Sequence, residues 1–187
     1  MAQNLSQAIE EHQATIQLVA DLQSPIVEAV ALIKTAFANN RKVLACGNGG
    51  SASDAQHFAS ELTGRFEQDR PGYPAFALTT DSSALTAIAN DYGFNRMFAR
   101  QLESVAHADD VLLVISTSGN SSNLLEAVKQ AKQQKVKTIA LLGRDGGELK
   151  DLVDCAIVVG GERTSRIQEA HIFILHFICQ AFEKAAN

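Results

Sequence analysis

The sequence predicts an α/β protein: a doubly wound, five-stranded parallel sheet with an N-terminal helical extension. Three observations predict it. Five short, nearly all-apolar runs rich in β-branched residues alternate with segments of helical periodicity, which is how strands covered on both faces read. Two of those runs end in glycine- and hydroxyl-rich loops that open helices. Two apolar helical segments precede the first strand.

The elements follow in order. Leu5 to Leu22 sets Leu5, Ala8, Ile9, Ile16, Val19 and Ala20 at mostly helical spacing, interrupted by polar Glu11 to Gln13. Ser24-Pro25 reads as a cap with proline at the first helical position, so a second helix runs to about Asn39 or Asn40. Residues 1–40 are the extension and 41–187 the sheet domain. One face of these two helices is too apolar to stand alone. They pack back on the sheet or pair with another copy of the chain, and a homo-oligomer is the favoured arrangement. The predicted strands are Lys42–Cys46, Ala75–Thr79, Val111–Ile115, Thr138–Leu142 and Cys155–Val159. Helices are predicted at Ser53–Arg65, Ser82–Ala89, Arg96–Val105, Asn120–Gln134 and Ser165–Lys184. Right-handed crossovers then make the sheet parallel. Gly143 to Gly147 reads as a glycine-rich connector.

Composition bounds the function. The chain has 187 residues, which fits one domain with helical extensions. It is 46% hydrophobic and 20% charged, ordinary globular values that bury a core without staples. Net charge is −5 with no basic run, which argues against a nucleic-acid partner. The apolar runs are strand-sized, which argues against a membrane span. Met1 to Glu11 is polar and lacks the apolar core of a signal peptide, so the expected compartment is the cytoplasm. Cys46, Cys155 and Cys179 are scattered and read as buried, reduced thiols.

Gly47-Asn48-Gly49-Gly50-Ser51-Ala52-Ser53 and Ser116-Thr117-Ser118-Gly119-Asn120-Ser121-Ser122 carry the first functional signal. Each follows a strand and opens a helix, exposing backbone N–H groups at a positive helix end. Such loops sit past the carboxyl ends of parallel strands, where ligands bind. Two of them imply one small, oxygenated, anionic ligand. Gly47-x-Gly49-x-x-Ala52 loosely matches a dinucleotide fingerprint, yet Asp81 lies about thirty residues on rather than about twenty, which disfavours a dehydrogenase. His57 and Glu61 are four apart and share a helix face, able to grip one metal ion or flank one substrate. Arg65 continues that face. On the last helix His176 lies in an apolar stretch and reads alone as a core residue, His171 as a surface residue and Gln168 as solvent-facing. Gln168 and His176 are eight apart, so about 12 Å of rise separates them on a straight helix. Asn90-Asp91 reads as a helix C-cap and turn, with Asp91 able to bond sugar hydroxyls.

Taken together, these residues resemble the phosphoheptose isomerase family, of the sugar-isomerase (SIS) fold. The resemblance spans nearly the whole chain. It is carried by Cys46-Gly-Asn-Gly-Gly-Ser51, Asp54-Ala-Gln-His57-Phe, Glu61-Leu, Arg70-Pro71, Ala89-Asn-Asp91, Asp110-Val-Leu-Leu, Ile115-Ser-Thr-Ser-Gly-Asn-Ser121, Gly143-x-Asp145-Gly-Gly147 and Arg166-Ile-Gln-Glu169-x-His171. It implies that residues 41–187 are a SIS domain. The implied reaction converts sedoheptulose 7-phosphate to D-glycero-D-manno-heptose 7-phosphate, the first step towards the nucleotide-activated heptoses of lipopolysaccharide core or related glycans. It implies a homotetramer with active sites between subunits. It also implies zinc (Zn2+) held by His57, Glu61, Gln168 and His176, and catalysis by Glu61 and His176. Substrate contacts carry over to Asn48, Gly49, Gly50, Ser51, Glu61, Asn90, Asp91, Ser116, Thr117, Ser118, Ser121 and Gln168, and Arg65 joins them from its place on the His57–Glu61 face. Ser165 stands where some relatives have Asp. The alternative is a non-catalytic SIS protein that binds a phosphosugar or a replication initiator. That branch departs at the positions of Glu61 and His176, both of which are retained here.

Overall fold

The computed structural model describes residues 4–183. Their order is α1 (Leu5–Val19), α2 (Gln23–Ala38), β1 (Val43–Gly47), α3 (Gly50–Thr63), β2 (Ala75–Ala77), α4 (Ser82–Tyr92), α5 (Met97–Val105), β3 (Val111–Ser116), α6 (Ser122–Gln133), β4 (Lys137–Gly143), β5 (Cys155–Val159) and α7 (Thr164–Gln180). Short 3-10 turns lie at Ala20–Leu22, Phe94–Arg96 and Glu148–Asp151. Lys184, the expected end of the last helix, is outside the described residues.

The strands form one five-stranded sheet in the order β2-β1-β3-β4-β5, with every pair parallel. Successive side chains on a strand point to opposite faces, and the core divides accordingly. On β3, Val111, Leu113 and Ile115 join the layer built by α1, α2, α3 and α7. Leu112 and Val114 join the opposite layer, with Phe98 and Leu102 of α5 and Leu124, Ala127 and Val128 of α6. Both faces are covered, which is why the strands read as continuous apolar runs.

The chain leaves β1 for β2 on one side and returns to β3 on the other. The carboxyl ends of β1 and β3 therefore flank the topological switch point, where connections diverge and a crevice opens. Their register pairs Gly47 with Ile115, so both loops leave the sheet at one level.

The N-terminal helices behave differently from a strand-sized apolar run. Leu5–Ala38 is one helical stretch of 34 residues with mean hydropathy 1.5 over its most apolar window, enough to cross a bilayer by length and composition. In this fold Val19, Ile26, Ala29, Ile33 and Ala36 pack into the core layer beside α7 and the sheet. α2 begins at Gln23 without a side-chain cap, because a 3-10 turn carries the chain straight in from α1. Ser24 is therefore not the cap its spacing suggested. Outward, Leu18, Val27, Phe173 and Phe177 remain exposed, and a groove of about 370 Å³ is lined by Ile16, Val19, Ile26, Phe173 and Phe177.

The three cysteines are buried and free. Burial pushes the Cys155 thiol up to about 11 and that of Cys179 to about 12. These thiols carry no nucleophile at neutral pH.

Candidate active site

Both loops lead into helices whose N-cap residues make no side-chain capping bond. Asn4 caps α1 and Asp81 caps α4 through their side chains. Like α2, α5 and α7, neither α3 nor α6 has a side-chain cap, although Ser121 stands at the N-cap of α6. A polar residue at that position ordinarily accepts from the first turn. A positive helix end of this kind favours an anion in that role.

The two loops are locked to each other. Asn48 Nδ2 donates to Asn123 Oδ1, and Asn123 Nδ2 donates back to Asn48 Oδ1, each at 2.9 Å. Asn123 is buried. Behind the second loop stands the glycine turn after β4. Glu148 N donates to Asn120 Oδ1 at 2.9 Å, and Leu149 N to Gly119 O at 3.0 Å. Gly119 has φ +66, and a Cβ there would lie 1.9 Å from Gly146 O. The Gly143–Gly147 stretch is thus a support for the loop as well as a connector.

α3 and α7 lie side by side and bring the titratable groups together. His57 Nε2 is 2.9 Å from Glu61 Oε1, as the four-residue spacing requires. His176 Nε2 is 3.3 Å from His57 Nε2. One donor atom from each of His57, Glu61 and His176 falls within 4.8 Å of the others, a grouping that can hold a metal ion.

Two readings of α7 change places. His176 is half-buried beside His57, not a core residue. His171, read as a surface residue, is fully buried, with Nε2 donating to Leu142 O at 3.0 Å. Burial pushes its imidazole down to about 4, so it is neutral at physiological pH.

Gln168 is turned towards the first loop. A Cβ on Gly50 would meet its Nε2 at 2.4 Å, so any side chain there would displace the Gln168 amide. Gly50 precedes His57 by seven residues, about 10 Å along the helix. Within one protomer Gln168 therefore stands at the loop end of the α3–α7 groove and the His57–Glu61–His176 group at the other. Arg65 leaves the shared stripe because α3 stops at Thr63. Its Nη1 donates to Glu67 O at 3.4 Å. Asn90 and Asp91 lie inside the last turn of α4, which runs to Tyr92, and Asn90 Nδ2 donates to Asp91 Oδ1 at 2.7 Å. Both are exposed. The turn after α4 reaches the second loop, where Ser122 Oγ bonds Asn95 Oδ1 at 2.6 Å.

Asp54 carries no role in the sequence analysis. It lies on the stripe of Gly50, His57 and Glu61, and that spacing was its available signal. Its Oδ2 is buried without a hydrogen-bond partner among the described residues. Burial raises its carboxyl to about 6, against the opposing pull of His57.

The SIS domain family's sequence pattern matches residues 7–143. The chain is 51% identical over 177 residues to the phosphoheptose isomerase of Campylobacter concisus, covering 95% of this chain and 94% of that one. The chain belongs to the phosphoheptose isomerase family. Solved structures agree. The phosphoheptose isomerase of Neisseria gonorrhoeae superposes with TM-score 0.85 at 45% identity, over 95% of this chain and 97% of that one. That of Francisella tularensis gives 0.89 at 38% identity, over 96% and 98%. Membership makes the His57–Glu61–His176 group and the two uncapped helix ends parts of an isomerase fold.

Proposed function

We propose that this enzyme interconverts sedoheptulose 7-phosphate and D-glycero-D-manno-heptose 7-phosphate in the cytoplasm, feeding activated heptose to lipopolysaccharide core or related glycans. The observation that carries this is the convergence of Glu61 and His176 on one group with His57, in a member of the phosphoheptose isomerase family. The 7-phosphate goes to Ser116, Thr117, Ser118 and Ser121 at the start of α6. Asn48, Gly49, Gly50, Ser51 and Gln168 take sugar hydroxyls along the α3 end, with Asn90, Asp91 and Arg65 as outer contacts.

The reaction moves one proton from C1 of the ketose to C2 of the aldose through an enediol. It needs a carbon base and a second group for the oxygen proton. Glu61 takes the proton from C1 and returns it to C2. His176 relays the hydroxyl proton from O1 to O2. The positive ends of α3 and α6 favour the negative charge of the substrate.

His57, Glu61 and His176 suit zinc. Two imidazole nitrogens bound about 2.0–2.1 Å from a tetrahedral ion stand about 3.3 Å apart, which is the spacing of His57 and His176, 3.3 Å. Bound there, zinc supplies Lewis acidity towards the C1 and C2 oxygens. Gln168 of the same protomer is two turns from these donors, so it serves as a ligand only across a subunit boundary. A homotetramer provides such boundaries, and the exposed apolar stripe of α1, α2 and α7 is the surface that would close them.

The test is turnover of sedoheptulose 7-phosphate by the purified protein. Loss of at least about 100-fold in kcat is expected for both Glu61→Gln and His176→Ala. Near-normal turnover in both variants would remove the assignment. Phosphosugar binding without turnover by the unaltered protein would favour the non-catalytic alternative.

A further inference from the structure

Among the described residues, Arg70 is the buried arginine, and each of its side-chain nitrogens has a partner. Its side chain is 3% exposed, and that of Glu183 is 6% exposed. Nη2 donates to Glu61 O at 2.8 Å and Nη1 to Leu62 O at 3.0 Å. Nη1 also reaches Pro71 O at 3.2 Å, and Nε reaches Glu183 Oε1 at 3.2 Å. The guanidinium lies over Tyr73, 4.8 Å from the ring centroid.

Glu61 and Leu62 are in the last turn of α3, where helix carbonyls lack partners and a positive charge is favoured. Arg70 satisfies those carbonyls, and one of them belongs to the residue that carries the reacting carboxylate. Glu183 follows α7, seven residues past His176. One buried ion pair therefore ties the end of the helix bearing His57 and Glu61 to the end of the helix bearing His176. A buried ion pair is weak evidence for stability, since desolvation offsets much of its attraction. What this one fixes is register between two helices.

We propose that Arg70, together with Glu183, is a positioning residue that holds Glu61 and His176 at their working separation. The inference rests on those two residues being the reacting pair. Displacing a reacting group by about 1 Å costs about 100-fold in rate, so partial slippage lowers kcat and leaves KM largely alone.

The experiment compares Arg70→Gln, Arg70→Lys, Glu183→Gln and a core control, Ile33→Val, in the full chain. Readouts are kcat and KM for sedoheptulose 7-phosphate, melting temperature, and the ring Cε1–H NMR resonances of His57 and His176. Arg70→Gln is expected to lower kcat by about 10-fold or more with KM within about twofold, and to shift both ring resonances. Arg70→Lys recovers part of kcat. Ile33→Val lowers the melting temperature while kcat and the resonances stay put. The proposal is overturned if Arg70→Gln keeps kcat and both resonances, or loses kcat only as far as an equally destabilised control. If Arg70→Gln fails to fold, Glu183→Gln decides by the same criteria, because it leaves the carbonyl contacts of Arg70 intact. If the unaltered protein shows no turnover, the functional reading falls, and the resonances alone decide the clamp.

Discussion

His171 sits in the middle of α7 with no exposed surface, donating its one N–H to Leu142 O. Its imidazole is pushed down to about 4 by burial, against an ordinary value of 6.5. The unfolded chain therefore binds more protons than the folded one between about pH 6.5 and 4, and stability falls as pH falls through that window. The loss is about 3 kcal/mol by pH 4. His171→Gln keeps a donor for Leu142 and removes the titration. Urea unfolding at pH 7 and 4.5 should show a smaller pH dependence in the variant than in the unaltered protein; equal dependence would count against a neutral buried His171. The same residue shows where the sequence stops being legible. His57 and Glu61 are found by spacing, because four residues on any helix bring two side chains to one face. Which histidine of α7 meets them is not, because apolar residues surround both. Phe173 and Phe177 are half-exposed while Ile174 and Leu175 are buried, so hydrophobicity does not mark the inner face.

At the scale of elements, each loop is held by something other than itself. The first loop is fixed by the Asn48–Asn123 amide pair and by Gln168 lying against Gly50. The second rests on the turn after β4. Gly119 at φ +66 sits so close to Gly146 that no side chain fits. Gly119→Ala forces a left-handed residue and a backbone collision, and should cost about 2 kcal/mol or more. It should also raise KM for the phosphosugar by at least about 10-fold, measured in parallel with the urea midpoint. Unchanged KM would mean that the second loop does not hold phosphate. The five strands and the seven α-helices of the described residues are legible in the sequence, since periodicity, alternation and loop chemistry agree with each other. Their ends are not: α4 continues to Tyr92 through Asn90 and Asp91, and α3 halts at Thr63 ahead of Arg65. Long-range supports such as Asn48–Asn123 and Arg70–Glu183 join positions 75 and 113 residues apart, a separation no local pattern reports.

For the whole molecule, the unmatched feature is the apolar stripe of α1, α2 and α7. Leu5, Ile9, Leu18, Val27, Phe173 and Phe177 are all exposed. Phe173 and Phe177 share one groove with Ile16, Val19 and Ile26, and an exposed apolar groove of this kind marks a candidate interaction site. It includes a face of the helix that carries Gln168 and His176, so in the proposed tetramer assembly and catalysis share α7. Phe177→Glu places a charge on the stripe without touching the core. It should shift the sedimentation behaviour from a tetramer to smaller species and reduce turnover along with it. A variant that stays tetrameric would show that another surface holds the subunits together.

The measurement that bears most directly on the central claim is turnover of sedoheptulose 7-phosphate in heavy water, followed by NMR with zinc added. An enediol route with exchange at the base predicts an aldose product carrying solvent deuterium at C2, with both product and label lost in Glu61→Gln. Full activity in Glu61→Gln would contradict Glu61 as the carbon base, an aldose product without deuterium would contradict exchange of the base with solvent during the enediol's lifetime, and no aldose product at all would contradict the isomerase.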